Sequence, residues 1–257
     1  MAAGTTLGVS TSSGSITVRG AETSRCEVHA KIRVGAMSEE QAREIAEQVR
    51  VRLVETDRGI DIEVERPKRR NVSISISYDI TVPHATSVVC HASSGAVRLQ
   101  DLEGRFDASA SSGSVHAENL SGAEAKLRSS SGSVRLIRAR VDACDLHTSS
   151  GSVRAEQITC GAIKARASSG SVTVVCTADT PPNLVADCSS SSGSVTLTVP
   201  SNFSGQVDLS TSSGSASTHL AFVRAGKKSK KRLVGTVGEG TGKIRLKTSS
   251  GSVRLLQ

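Results

Sequence analysis

Basic side chains recur in this chain of 257 residues at fixed offsets from a repeated glycine, and a lattice of regularly spaced cations is the chemistry most open to it. Three residues after successive glycines stand Arg98, His116, Arg135 and Arg154. Four residues before them stand His91, Ser109, Arg128, His147 and Arg166. If each glycine marks one unit of a stack, these positions form two basic columns on either side of a glycine edge. Charges repeating every ~4.8 Å repel one another unless an anion screens them. With a net charge of +8, such columns suit acidic glycans or an anionic membrane surface. A nucleic-acid partner is disfavoured, because aromatic residues make up only 2% of the chain and cannot stack bases. A second basic run spans Arg224 to Arg232 and reads as a loop projecting from the stack. The candidate polyanion-binding residues are therefore Arg98, Arg128, Arg135, Arg154, Arg166, Lys227, Lys228, Lys230, Lys231 and Arg232. The competing reading is a solvated face whose charge discourages aggregation.

Catalytic chemistry finds no comparable support. There is no helical H-x-x-x-H pair and no G-x-S-x-G elbow. His91 and His147 share a register, but three units separate them, roughly 14 Å at solenoid spacing, too far for one metal ion. The run Gly238 to Lys243 superficially suggests a phosphate loop, yet Val237 and Ile244 occupy positions where G-x-x-x-x-G-K-[ST] needs other residues. The expectation is a non-enzyme with neither cofactor nor metal. Six cysteines contain no C-x-x-C pair. Cys90, Cys144 and Cys188 fall on the inward register below, so they read as small core hydrophobes, with a buried disulfide as the alternative. That usage mildly favours a reducing compartment.

The elements that would position these residues are written in a repeated phrase. Ser-Ser-Gly-Ser-Val surrounds Gly113, Gly132, Gly151, Gly170, Gly193 and Gly251 unchanged, and Gly14, Gly95 and Gly214 with one substitution. Around each glycine, apolar residues alternate with polar ones: Val115 and Ala117 after Gly113, Phe106 and Ala108 before it. Period-two alternation on both sides of a Ser-Gly corner means strands with one buried face. Each unit of about 19 residues then holds two strands and two corners, one coil of a β-solenoid. A β-sandwich of short strands is the alternative, though sandwiches rarely hold one motif at a near-constant period. The glycine is expected to supply positive φ at a tight corner, and the serines to satisfy corner backbone groups. Outward charges six residues before each glycine (Asp107, Lys126, Asp145, Lys164, Asp187 and Asp208) are expected to neutralise one another between coils.

Residues 20–86 have a different grammar. A strand is predicted over Cys26–Val34, and a capping-box helix follows from Ser38-Glu-Glu-Gln41. A hairpin turns around Asp57-Arg58-Gly59, and a final strand closes at Pro83. This segment reads as a strand–helix–hairpin insertion that caps the first coils of a single domain spanning 1–257, with 87–257 as the main array. The opening residues lack a charged-then-apolar leader and no stretch is long enough to span a bilayer. The chain as read is therefore soluble, favouring the cytoplasm over a cell envelope.

The order of these parts resembles the bacterial "putative adhesin" β-strand-repeat family, a domain of unknown function. The likeness rests on Gly-Ser-Ile-Thr-Val at 14–18, the insertion, Ile-Thr-Val-Pro at 80–83, Ser-Gly coils, and the late glycine-rich turn before 244–255. It implies an all-β, right-handed parallel β-solenoid of the single-stranded β-helix type. Two functional expectations follow: a non-catalytic scaffold or binding module contacting anionic surfaces or polymers, or a bactofilin-like protein that self-associates by stacking end to end. The second draws on a last coil that ends at Gln257 with no capping helix.

Overall fold

Outward polar residues and inward Val, Leu and Ala alternate along almost every strand, so the chain winds into a stack rather than a globule with one central sheet. The computed structural model describes residues 4–67 and 71–257, without the side chains of Arg224, Ala225, Lys227 and Lys228. In chain order the elements are β1 (Thr6–Ser13), β2 (Ile16–Ala21), β3 (Glu27–Gly35), α1 (Glu39–Gln48), β4 (Arg50–Thr56), β5 (Gly59–Glu65) and β6 (Ser73–Pro83). The central coils follow as β7 (Ser87–Ser94), β8 (Val97–Ala110), β9 (Val115–Ser129), β10 (Val134–Thr148), β11 (Val153–Ala167) and β12 (Val172–Cys176). The last part holds β13 (Val185–Ser190), β14 (Val195–Thr198), β15 (Gly205–Thr211), β16 (Ala216–Thr218), β17 (Arg224–Ser229), β18 (Arg232–Val237), β19 (Gly242–Thr248) and β20 (Val253–Leu256).

These strands make two parallel ladders joined at the Ser-Gly edge. On face A the neighbours run β5, β1, β7, the second halves of β8 to β11, β13, β19 and β15. On face B they run β6, β2, the first halves of β8 to β11, β12, β14, β20 and β16. The fold is thus the expected β-solenoid. The predicted inward register holds: Ile16, Val97, Val115, Val134, Val153, Val172, Val195 and Val253 form one column, each no more than 1% exposed. The step of 18 residues from Gly95 to Gly113 becomes 19 because a bulge shifts the register after Gly104, where Arg105 faces Glu124.

The corner glycine has a different cause from the one expected. Among the Ser-Gly corner glycines, only Gly14 has positive φ, at 118°. From Gly95 onward, a Cβ at each corner would lie well inside 3.0 Å of the carbonyl of the glycine stacked on it. Glycine is required by the close approach of one corner to the next, not by a left-handed backbone. Left-handed residues do occur, six positions after the glycine, at Asp101, Asn119, Arg138 and Gln157 (φ 50–57°). They bend β8 to β11 once each, so a single long strand covers more than one side of its coil. Asn119 Nδ2 donates to Asp101 Oδ1 at 2.7 Å and Arg138 Nε to Asn119 Oδ1 at 2.7 Å, tying these bends together.

The corners are closed by hydroxyls, as expected, but the decisive ones are buried three residues before the glycine. Thr148 Oγ1 donates to Gly132 O at 2.7 Å and accepts from Gly151 N at 3.2 Å. Ser129 and Ser190 do the same for their own corners. Each hydroxyl therefore satisfies one carbonyl and one amide from neighbouring coils, groups that would otherwise be buried without partners.

Sequence order and stacking order part company at both ends. The insertion is no simple lid: β5 and β6 are parallel to β1 and β2 and extend both faces beyond them. Outside them, β4 and β3 pair antiparallel. The helix α1 has Ser38 as N-cap, accepting from Gln41 N, and buries Ile45. At the other end β19 and β20 insert between the coil of β13 and β14 and that of β15 and β16. The C-terminal coil is therefore internal, contrary to the open edge expected at Gln257. The basic run is likewise no loop. It forms an antiparallel hairpin, β17 and β18, laid on the outer edge of β15. Antiparallel strands blunt both faces at the N-terminal end and face A at the C-terminal end, where face B stops at the three-residue β16.

Candidate functional site

The two predicted basic columns exist, but their charge is largely consumed within the stack. Arg128 meets Asp145 at 3.1 Å and Arg166 meets Asp187 at 3.0 Å, each reaching diagonally to the adjacent coil. The acids six residues before the glycine thus neutralise arginines four before it, rather than only the lysines of their own column. Lys126 and Asp107 still pair, at 4.0 Å. On face B, Arg154 and Arg135 both bond Glu156, at 2.6 and 3.4 Å. The Arg154 guanidinium, with Arg135 beside it, holds the Glu156 carboxyl below its ordinary range. Glu118 accepts from Arg138 and lies 3.9 Å from His116. Burial, followed by the charge of Arg135, lowers the His116 imidazole. The two glutamates sit five residues after their glycines, two residues beyond the column of Arg98, His116, Arg135 and Arg154 and on the same outward side.

Of the remaining predicted residues, Arg98 points outward on face B and forms no ion pair among the described residues. Arg232 is held by Asp208 at 2.9 and 3.2 Å. Lys230 and Lys231 form the exposed turn between β17 and β18. The side chains of Lys227 and Lys228 lie outside the described residues. The candidate cations therefore do not form one surface: some sit on the central coils, already paired, and the rest at the C-terminal end.

That end holds three cations that sequence reasoning missed. Lys243, Arg245 and Lys247 alternate outward along β19 and are exposed. The inserted register places them between β13 and β15, with Arg245 opposite both Asp187 and Asp208. Those two carboxylates are bonded to Arg166 and Arg232. Among the described residues, Lys243, Arg245 and Lys247 have no ion-pair partner. A groove of about 490 Å³, lined by Gln206, Asp208, Val234, Thr236, Lys243 and Arg245, runs beside them under the hairpin. The signal in sequence was the alternation Lys-Ile-Arg-Leu-Lys, but its neighbours were hidden by the out-of-order stacking.

No group of three or more His, Cys, Asp or Glu side chains among the described residues could hold a metal ion. Cys90, Cys144, Cys160, Cys176 and Cys188 are buried free thiols, and Cys26 is half-buried and free. Burial pushes the Cys90 and Cys176 thiols up to about 12. No helix among the described residues is long and apolar enough to cross a membrane.

Among solved structures, the chain is similar to a "putative adhesin" from Bacteroides fragilis NCTC 9343. The identity is 15% and the TM-score 0.53, over 97% of this chain and 91% of that one. A "putative cell adhesion protein" from Clostridium sporogenes ATCC 15579 aligns at 12% identity with a TM-score of 0.30, over 100% of this chain and 93% of that one. No curated protein matches the chain. Residues 46–256 match the family described as Toastrack DUF4097, a span that takes in β5, β6, every central coil and the inserted β19 and β20. The chain belongs to the Toastrack DUF4097 family.

Proposed function

We propose that this chain is a non-catalytic, adhesin-like binding module whose contact surface is the basic C-terminal end of face A. Lys243, Arg245 and Lys247 form its centre, and Lys230 and Lys231 extend it along the hairpin turn. The partner is an acidic glycan, met by long-range and weakly specific attraction rather than in one deep pocket. The observation that carries this reading is the contrast in pairing: Arg128, Arg135, Arg154 and Arg166 of the central columns have carboxylate partners and only Arg98 stands alone there, whereas among the described residues all three β19 cations have none. Unpaired like charges on adjacent outward positions are stabilised when a polyanion lies across them.

Binding to heparin-like glycans, followed by calorimetry, tests the proposal. It should weaken steadily with salt, because exposed charges are screened within about 8–10 Å at physiological ionic strength. Reversing Lys243, Arg245 and Lys247 to glutamate should abolish binding. Reversing Arg128, Arg135, Arg154 and Arg166 should leave most of it. If the β19 variant binds like wild type, the reading is wrong. Anionic vesicles form a parallel arm: binding there without glycan binding reassigns the surface to membrane.

A further inference from the structure

The face A ladder opens near the opposite end of the stack. β1 and β5 are in register only from Thr6 opposite Gly59 to Val9 opposite Ile62, although β1 continues to Ser13 and β5 to Glu65. On its other side, β1 stays paired with β7 as far as Ser13 opposite Ser94. The Thr6 amide donates to Arg58 O on the β5 side. Alternate residues of a strand face the same neighbour, so the peptide groups of Ser12 face the opening, where β5 has diverged.

This split encloses a cleft of about 440 Å³ whose polar lining includes Ser10, Ser12, Glu63, Arg66 and His91, over a floor of Ile62, Ile74 and Ile76. Tyr78, the chain's one tyrosine, also lines it and is only 2% exposed. Its hydroxyl is the one buried side-chain oxygen or nitrogen without a hydrogen-bond partner among the described residues. Burial raises the Tyr78 phenol, and the nearby Arg66 charge partly offsets this. Arg66 donates to Ser12 Oγ at 3.1 Å and has no carboxylate partner among the described residues.

We propose that this cleft is a strand-addition site for an extended peptide segment that carries a carboxylate. The peptide backbone pairs with β1 through the Ser12 N–H and C=O, in place of the missing part of β5. Its carboxylate meets Arg66, the exposed cation at the mouth, and the Tyr78 hydroxyl gains the partner it lacks. A free strand edge of this kind matches a peptide better than a sugar. The backbone donor and acceptor of a strand edge repeat at the spacing of another strand, which a sugar does not reproduce.

A random heptapeptide library displayed on phage, selected on the wild-type chain and counter-selected on Ser12→Trp, tests the assignment. Ser12 is exposed, so the tryptophan blocks the cleft from outside while thermal melts verify the fold. The expected winners alternate apolar residues with Asp or Glu. A synthetic winner should lose about tenfold or more in affinity on Arg66→Glu, the scale of a lost charge-assisted contact. Methylating alternate backbone amides of the peptide should abolish binding. The Lys243, Arg245 and Lys247 reversal should leave it intact, so failure here and failure of the glycan reading are separable. The proposal is overturned if no sequence enriches on wild type over Ser12→Trp, or if the methylated peptide binds like its parent. Glucuronate binding in the cleft without any selected peptide would give the site to a glycan instead.

Discussion

The central coils and the two ends of this solenoid are built from the same strands yet use their outward residues differently. From Gly95 to Gly193 each coil lies on its predecessor in sequence, and most of its arginines, Arg98 excepted, meet a carboxylate of the same or an adjacent coil. Arg128 finds Asp145, Arg135 and Arg154 share Glu156, and Arg166 finds Asp187. At the ends, strands enter out of order, the parallel ladders meet antiparallel ones, and charges and backbone edges go unpartnered. Among the described residues, Lys243, Arg245 and Lys247 have no ion-pair partner at one end; Arg66, Ser12 and Tyr78 face a split in the sheet at the other. A regular repeat satisfies itself, because each unit supplies what its identical neighbour needs. Groups left over for a partner collect where the repetition breaks.

The sharpest way to break this comparison is to place one methyl group in each region. A Cβ at Gly132 would fall well inside 3.0 Å of Gly113 O and of Ser114 N, both backbone atoms that cannot move without opening the stack. Gly132→Ala should cost about 3 kcal/mol by urea unfolding. In the N-terminal cap, a Cβ at Gly35 meets only the Ser73 hydroxyl at 2.6 Å, which rotates away. Gly35→Ala should stay within about 0.5 kcal/mol of wild type. Equal losses at the two sites would remove the distinction between a close-packed middle and a tolerant end.

A smaller difference is expected from hydroxyls. Thr148→Val keeps the shape but leaves Gly132 O and Gly151 N without their bridge, at about 2 kcal/mol. Thr56 donates to Gly59 O at 3.3 Å in the exposed turn of β4 and β5, where water can replace it. Thr56→Val should therefore cost less than about 0.5 kcal/mol. A Thr148→Val protein that unfolds at the wild-type urea midpoint would show that the corner ladder is held by backbone pairing alone.

The smallest effect at neutral pH separates the thiols. Cys26, in the insertion, should react with iodoacetamide in the native protein, while Cys90 and its buried companions wait for unfolding. Cys90 is raised from 9.0 to about 12 by burial, with Asp107 adding to it. Above pH 9 the unfolded thiol loses its proton while the folded one keeps it, so the unfolded state binds fewer protons and stability falls as pH rises toward 12. The stability advantage of wild type over Cys90→Ala should accordingly shrink between pH 9 and 12. A difference that stays constant over that range would mean that Cys90 is open to solvent.

Much of this molecule is legible without coordinates. Alternation around Ser-Ser-Gly-Ser-Val determines which residues of each coil point inward, because a strand has only two faces and one must be dry. The same repetition makes Val134 and Val153 neighbours, since identical units pack best on one another. The N-cap at Ser38 and the hairpin at Asp57 are local events and were read correctly for that reason. What tertiary structure alone decided is long-range. The phrase at Gly251 is spelled like those from Gly113 to Gly193, so nothing in it tells that its coil slips between those of Gly193 and Gly214. That choice gives Arg245 two carboxylates that are already occupied. The corner glycine shows the same limit: its identity is plain in the sequence, but its reason is a carbonyl one coil away. Arg135 reads as a free cation until the fold brings Glu156, 21 residues later, within 3.4 Å. Sequence specifies the coil, because its causes are local and periodic. Only packing decides which charges and edges remain for a partner, because that depends on which coil ends up beside which.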